Sequence, residues 1–156
     1  MILAPQEDQC VQMKRDFHFF HFLDQNDIDL LTPYFNCRCL QPGEDLWVEG
    51  ENSKFVAFIT SGRIEGKKET AFRNKQVVVG VYGKESLLGV FSLLSEDVRP
   101  VTATALEESR VLLLDKQGFD EINKLYPALG GRLMKGMLFC VTMRLRQSYQ
   151  RLAAIF

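Results

Sequence analysis

The stretch PGEDLWVEGENSKFVAFITSGR, residues 42–63, decides the fold class of this chain. Two short apolar segments in it are enclosed by three turn-forming groups: Pro42-Gly43-Glu44, Glu49-Gly50-Glu51-Asn52 and Ser61-Gly62. Gly, Pro, Asn and Glu clusters at such places signal tight turns, and the connections are too short to hold a crossover helix. The stretch therefore predicts antiparallel strands.

The same rhythm of short apolar strands and turn signals continues on both sides of this stretch. The predicted strands are Cys37 with Cys39, Leu46 with Val48, Phe55–Thr60, Ile64, Val77–Tyr82, Val101–Leu106 and Val111–Leu114. Further turn signals stand at Arg73-Asn74, Gly83-Lys84 and Glu107–Ser109. Strands at this spacing are typical of a sandwich or barrel, so we expect an all-β body over residues 36–115.

Helical patterns precede this β body in residues 1–35. The segment Asp16–Leu23 is dense in aromatic residues. It is followed by Asp24, with Asp27 three residues later, a pattern typical of a helix start. We expect two short helices here, the second ending at Pro33 or Tyr34.

Helical periodicity returns after the β body. Residues 116–127 predict a short amphipathic helix that ends at Tyr126-Pro127, because the residue before proline is disfavoured in the helical conformation. Residues 128–156 predict a long helix, from about Leu129 to Ala154.

Two apolar stripes run along the predicted long helix. The first, which we call the seam, has a spacing of alternately four and three residues: Met134, Leu138, Val141, Leu145, Ser148, Leu152 and Ile155. The second stripe consists of Leu133, Met137 and Cys140. Heptad spacing is typical of a helix that packs against another helix. We expect the second stripe to cover the β body and the seam to form a homodimer, since a monomer would leave it exposed. The alternative is one broad stripe that lies wholly on its own domain.

Charge is unevenly distributed along the chain. The formal net charge is −1, yet all 20 acidic residues lie in residues 1–121. Residues 122–156 carry only basic ones: Lys124, Arg132, Lys135, Arg144, Arg146 and Arg151. A near-neutral chain does not coat nucleic acid by bulk electrostatics. Two interpretations of the basic helix stay open, an anionic partner and a solvated face beside an acidic body.

The composition is that of an ordinary globular domain, with 46% hydrophobic and 25% charged residues among 156. A chain of this size buries a sufficient core without metals or disulfides. No segment has the length of a membrane span, and the first residues, MILAPQEDQCVQMKRD, show no signal-peptide pattern. We therefore expect a single cytoplasmic domain with no membrane partner.

Six short motifs, in one order, connect the chain to a known family. They are Pro42-Gly43-Glu44, Trp47-x-Glu49-Gly50, the Phe55–Arg63 run, Leu87-Leu88-Gly89 followed by Leu93-Leu94, Arg99-x-x-Thr102-Ala103, and Leu114–Ile122. With these motifs the chain resembles the cyclic-nucleotide-binding-like sensor domain of the Crp/Fnr transcription regulators, from about Phe19 to Phe156. The resemblance implies a mainly β fold, an antiparallel double-stranded β-helix of the jelly-roll type, with short N-terminal helices and a long C-terminal dimerisation helix.

In that family the segment that resembles Gly89–Leu94, together with Arg99, is a phosphate-binding cassette. The resemblance implies that backbone N–H groups and Arg99 bind the phosphate of a cyclic nucleotide, while a glutamate after the glycine binds the ribose. In this chain Val90 stands at the glutamate position, and Pro100, which has no N–H, follows the arginine. Because valine cannot accept a bond from the ribose hydroxyl, we expect a ligand other than cyclic AMP.

The resemblance also implies which residues bind the effector. The expected ligand-binding residues are Tyr82, Leu88, Gly89, Val90, Phe91, Arg99, Pro100, Thr102, Arg144, Ser148 and Tyr149. The alternative role of Ser148 is to set the register between paired helices. We expect a small organic anion, or a cyclic-nucleotide-like effector, with its acidic group on Arg99. The alternative is a vestigial pocket in which Arg99 bonds a nearby carboxylate such as Glu96 or Asp97.

The cysteine and histidine residues do not form a metal-ligand pattern. Cys37-x-Cys39 supplies two thiols, fewer than the four ligands of a tetrahedral site, and His18 and His21 have no third ligand near them in the sequence. There is no nucleophile elbow, phosphate loop or local Ser/His/Asp signature. We expect no metal, no certain cofactor and no catalysis.

These features predict the effector-binding sensor domain of a Crp/Fnr-type transcription regulator that signals through a C-terminal dimer helix. DNA contact is expected only through a helix-turn-helix domain, which this sequence does not include. Two interpretations stay open: the sequence is a sensor domain excised from a longer regulator, or the natural protein ends here. The alternative function is a ligand-free, degenerate domain that serves as a dimerisation or protein-interaction scaffold.

Overall fold

Eight antiparallel strands form the body of the protein in the computed structural model, which describes residues 21–72 and 74–156. They are β1 (Asn36–Leu40), β2 (Asp45–Trp47), β3 (Phe55–Ser61), β4 (Ile64–Glu69), β5 (Gln76–Tyr82), β6 (Leu87–Leu88), β7 (Thr102–Ala105) and β8 (Ser109–Asp115). One sheet has the order β1-β8-β3-β6 and the other β2-β7-β4-β5.

The pairing of the strands is that of a jelly roll. Strand β1 pairs with β8, β2 with β7, β3 with β6 and β4 with β5, so the chain is one long antiparallel ribbon that folds over into two sheets. Strand β8 then pairs with β3, and β7 with β4, where the ribbon closes on itself. The predicted fold class, an antiparallel β-roll with flanking helices, is confirmed. Strand β6 was not among the predicted strands, because two residues are too few to show an alternating pattern.

The two faces of strand β3 pack into two separate cores. Val56 and Phe58 point to the helices, whereas Ala57 and Ile59 lie between the two sheets, and all four side chains are buried. The first core joins the outer face of one sheet to helical residues such as Leu133, and the second fills the roll. A strand that is buried on both faces reads as a continuous apolar run, which is what Phe55–Thr60 shows.

Helix α1 (Gln25–Leu31) and a 3₁₀ turn (Thr32–Tyr34) precede the strands. The predicted start is confirmed, because the Asp24 carboxylate accepts a hydrogen bond from the Asp27 N–H at 2.8 Å and the Asp27 carboxylate accepts one from the Asp24 N–H. Most of the aromatic segment Asp16–Leu23, including His18, lies outside the described residues.

Three helices follow within and after the strands. They are α2 (Phe91–Leu94), α3 (Lys116–Leu125) and α4 (Pro127–Ala153). The chain turns between α3 and α4 at Tyr126, and α4 begins at Pro127 itself. Proline fits the first position of a helix because no N–H is needed there. The long helix therefore starts two residues earlier than predicted.

The two predicted apolar stripes of helix α4 have different surroundings. Leu129, Leu133 and Met137 are buried against the domain. The seam faces solvent in this chain, with Leu138 66% and Leu145 49% exposed. The domain thus leaves the seam uncovered. A single broad stripe lying on its own domain would instead bury the seam residues.

Candidate functional site

A cavity of about 370 Å³ lies between the β6–α2 segment, strand β2 and the middle of helix α4. Its walls are formed by Trp47, Ser53, Tyr82, Leu88, Gly89, Val90, Phe91, Leu94, Arg99, Pro100, Val101, Val141 and Arg144. None of these residues is acidic, and most are apolar. The two charged groups of the lining are both guanidinium groups.

Arg99 is the most deeply buried of the charged residues in the cavity wall, with 1% of its surface exposed. Its guanidinium group lies 3.7 Å from the ring centre of Trp47 and 4.8 Å from that of Phe55, and Nη2 donates a hydrogen bond of 2.8 Å to the Phe55 carbonyl. Stacking on aromatic faces stabilises a guanidinium that has lost its water.

Two donor atoms of Arg99 remain without a partner. Nε and Nη1 are buried and form no hydrogen bond, and within the described residues the guanidinium forms no ion pair with Glu96 or Asp97. Burial lowers the pKa of Arg99 to about 10, although the charge of Glu51 acts in the opposite direction. Unsatisfied buried donors are rare in proteins, so an anionic acceptor in the cavity would remove a real energetic cost.

Gly89 makes room for this cation. Its φ is +79°, in the left-handed region, and a Cβ built on it would lie 2.3 Å from Arg99 Nη1 and 3.1 Å from the Trp47 ring. Only glycine fits such a conformation and such a close approach without strain. The glycine and the arginine of the predicted cassette are therefore brought into direct contact.

The wall that would meet the body of a ligand is apolar. Val90 and Phe91 follow the glycine, and Pro100 follows the arginine. No carboxylate stands where the related cassette has its glutamate, and Pro100 has no N–H to donate. The cavity therefore offers one buried cation and hydrocarbon surface rather than a set of sugar-binding acceptors.

Helix α4 contributes the second cation, Arg144. Its guanidinium lies 4.4 Å from the ring centre of Tyr82, and Nη2 donates a hydrogen bond to the Leu87 carbonyl. Partial burial lowers the pKa of Arg144. The side chain thus connects the long helix to the strand that leads into the cassette.

The structure brings most of the expected ligand-binding residues to this cavity. Those that line it are Tyr82, Leu88, Gly89, Val90, Phe91, Arg99, Pro100 and Arg144. Thr102 lies away from it and accepts a hydrogen bond from the Glu49 N–H. Ser148 donates to the Arg144 carbonyl, and Tyr149 is exposed. Five further residues line the cavity without having been expected there: Trp47, Ser53, Leu94, Val101 and Val141.

Other kinds of site find no support in the part of the chain that the structure describes. Across residues 21–72 and 74–156, no group of three or more His, Cys, Asp or Glu side chains is placed to hold a metal ion. No helix in those residues combines the length and the apolar character needed to cross a bilayer.

The family follows from a comparison with known sequences. A family model described as the cyclic nucleotide-binding domain matches residues 37–125, more than half of the chain. This chain belongs to the cyclic nucleotide-binding domain family. The match begins in β1 and ends with α3, and so includes the whole cassette. The resemblance to a Crp/Fnr-type domain is confirmed.

Curated relatives contain this domain within longer proteins. The cyclic AMP receptor protein of Thermus thermophilus is 25% identical over 114 residues, which are 73% of this chain and 52% of that protein. Neuropathy target esterase sws of Drosophila grimshawi is 30% identical over 95 residues, 61% of this chain and 6% of the esterase. The chain therefore spans about half the length of the receptor protein and a small part of the esterase.

Solved structures show the same fold. A cyclic nucleotide-binding domain from Methylobacillus flagellatus superposes with a TM-score of 0.80 at 17% identity and covers 96% of this chain and 83% of its own. The catabolite activator protein of Thermus thermophilus gives 0.69 at 23% identity, with 88% and 62% covered. The cAMP-bound PfPKA-R gives 0.59 at 24% identity, with 78% and 43% covered.

Proposed function

We propose that this domain is the non-enzymatic sensor of a Crp/Fnr-type transcription regulator and binds a small organic anion in its cavity. The observation that carries the proposal is the buried Arg99, whose Nε and Nη1 have no partner beside an apolar space of about 370 Å³. Arginine forms charge-assisted hydrogen bonds with carboxylate and phosphate groups, and this guanidinium still has donors that no protein acceptor uses.

Cyclic AMP is a poor fit to the lining. The Thermus relative is named a cyclic AMP receptor protein. A cyclic nucleotide presents a ribose hydroxyl, which needs an acceptor, as well as a phosphate, which needs donors. Val90 supplies no acceptor, and Pro100 supplies no donor. A site that lacks one polar partner discriminates against the ligand that needs it by orders of magnitude.

Helix α4 is the element that would transmit occupancy. Val141 and Arg144 reach the cavity from this helix, and Val141 also belongs to the exposed seam. We propose that the seam pairs two copies of the chain in the cytoplasm, and that a ligand acts by favouring one arrangement of the paired helices over another. DNA would then be read by a further domain, as in Crp-type regulators.

A ligand-free scaffold is the second candidate. It is favoured by the aromatic stacking of Arg99 on Trp47 and Phe55 and by its hydrogen bond to the Phe55 carbonyl, which partly satisfy the cation without any ligand. In the esterase relative the matching domain is 6% of a much longer protein. In this case the cavity would have no occupant and the seam would be the functional surface.

Thermal unfolding with a panel of cyclic nucleotides and of aliphatic and aromatic carboxylates separates the two candidates. A ligand at one hundred times its Kd should raise the free energy of unfolding by about 2.7 kcal/mol. We expect at least one carboxylate to raise the free energy of unfolding by this amount and cyclic AMP to raise it less. In the Arg99→Gln variant the carboxylate should no longer raise it. Arg63→Gln is the control, because Arg63 is an exposed surface cation paired with Glu107.

Two results would overturn the sensor proposal. One is a panel without a shift for any compound, which would favour the scaffold. The other is a shift with cyclic AMP that persists unchanged in Arg99→Gln, because it would place binding outside this cavity.

A further inference from the structure

Two guanidinium groups line one cavity that contains no carboxylate. Arg99 reaches it from the segment after the cassette and Arg144 from the long helix. Neither forms an ion pair within the described residues, and burial lowers the pKa of both. Two like charges in a space of low polarity repel each other, and the binding of anions between them lowers this electrostatic energy. One monoanion would neutralise only half of this charge.

The two guanidinium groups are hydrogen-bonded to different backbone carbonyl groups. Arg99 is bonded to the Phe55 carbonyl and Arg144 to that of Leu87. Leu87 is paired with Phe58 across the β3–β6 ladder, three residues along β3 from Phe55. At about 3.3 Å per residue and about 4.8 Å between strands, the two anchors are roughly 11 Å apart. Cations held at two separate anchors favour a ligand with two acidic groups over one with a single small acid group.

The surface between the two cations is hydrocarbon. Leu88, Gly89 and Val90 run from the Leu87 anchor towards Arg99, and Tyr82 lies beneath Arg144. A ligand that reaches both cations therefore needs an apolar body with an acidic group at each end.

We propose that the cavity takes an elongated dianion, with one acidic group on Arg99 and the other on Arg144 and with a short aliphatic or aromatic body against Leu88 and Val90. The inference rests on the proposed sensor function and names its class of ligand. Dicarboxylates and carboxylates that carry a phosphate at the far end both belong to this class. The second acidic group would bond donors of Arg144 that the Leu87 carbonyl leaves free, so that occupancy acts directly on helix α4.

Matched acids test the proposal by titration calorimetry on the whole chain. The probes are linear dicarboxylates of roughly four to eight carbons with the monocarboxylates of equal length, and terephthalate with benzoate. Since a charge-assisted hydrogen bond contributes more than a neutral one, we expect the best dicarboxylate to bind about tenfold or more tighter than its monocarboxylate. Arg144→Gln should remove that preference, so that the dicarboxylate and its monocarboxylate bind with similar affinity.

Two further variants make the test specific. Arg144→Lys keeps the charge and should keep part of the preference. Arg146→Gln, on the same helix but exposed and away from the cavity, should change nothing. Circular dichroism of the ligand-free variants shows that each is folded.

The outcomes distinguish this inference from the proposed function. Equal binding of mono- and dicarboxylates, or a preference that Arg144→Gln leaves intact, overturns the dianion while the anion sensor stands. If no acid of either series binds the wild type, the dianion class is excluded, and the wider panel then decides whether any effector binds.

Discussion

At the scale of single residues, the cavity is defined by the contact between Gly89 and Arg99, two residues that the family resemblance assigned to the ligand site. Trp47, although it belongs to one of the family's motifs, was not expected to line the cavity. The alternation Leu46, Val48 predicted that these two side chains point inward, but the ladder of β2 with β7 is irregular between Asp45 and Trp47. Trp47 is therefore buried and Val48 is 43% exposed. A bulge adds one residue and exchanges the faces of a strand, and no period-two pattern reveals it in advance.

The close contact between Gly89 and Arg99 predicts the effect of a side chain at position 89. Gly89→Ala forces a Cβ to within 2.3 Å of Arg99 Nη1 at a φ of +79°. We expect the free energy of unfolding to fall by about 1–3 kcal/mol and the binding of anionic probes to be lost, because the side chain of Arg99 must leave its place. Urea denaturation and calorimetry measure the two effects.

Gly131→Ala is the matched control. A Cβ at Gly131 meets nothing within 4 Å, and the residue lies inside helix α4. Here alanine should raise the free energy of unfolding by up to about 1 kcal/mol through its helix propensity. Equal responses of the two variants would contradict the account of Gly89.

At the scale of elements, the sequence predicted what has a strong period and missed what depends on packing. Strands and helices of several residues were recognised from alternation or from helical spacing. The two-residue strand β6 is held by its pairing with Ala57 and Phe58, which no local pattern shows. Ser148 is one turn beyond Arg144 on the same side of the helix, and the rise of about 6 Å over four residues takes it past the cavity.

An ion pair between helices α1 and α4 helps to fix the orientation of α4 on the domain. The buried Asp27 carboxylate accepts two hydrogen bonds from Arg132, from Nε at 2.9 Å and from Nη2 at 2.5 Å. These bonds hold the pKa of Asp27 below its ordinary value of 3.8. A carboxyl group whose pKa is lower in the folded protein than in the unfolded chain stabilises the folded state at pH values above the unfolded-state pKa. This stabilisation is lost as the pH falls through the folded-state pKa.

Asp27→Asn tests this connection. We expect the variant to be less stable than the wild type near neutral pH. The difference should shrink as the pH falls below 3.8, because the unfolded wild-type chain binds a proton there before the folded carboxyl does, and it should level off below the folded-state pKa. Urea denaturation at a series of pH values measures the difference. Asp29→Asn is the control, since Asp29 is exposed and bonds only Gln25 among the described residues. A difference that is independent of pH would contradict the assignment.

At the scale of the whole molecule, the ligand cavity and the exposed seam meet on one helix. Val141 lies in both, and Arg144 follows it by less than one turn. The spacing of strands and turns predicted the roll, and the heptad spacing predicted the long helix. Their contact depends on which face α4 turns to the domain, and this is set by buried residues such as Leu133 and Met137 and by the Arg132 ion pair.

This shared helix predicts that dimerisation and anion binding are coupled. Leu145→Glu places a charge in the seam, so we expect it to sediment as a monomer at concentrations where the wild type is a dimer, and to bind the best dicarboxylate several-fold more weakly. Linkage requires the reverse effect, so saturation with the same probe should strengthen wild-type dimerisation by the square of the factor that monomerisation costs in affinity, because one dimer binds two probes. Sedimentation at increasing probe concentration measures that factor. Gln147→Glu is the control, because it adds the same charge on a helix face outside the seam. If Leu145→Glu keeps the mass of the wild type, the seam is not the interface; if it is monomeric with unchanged affinity, the cavity and the interface are independent, and helix α4 does not carry the signal.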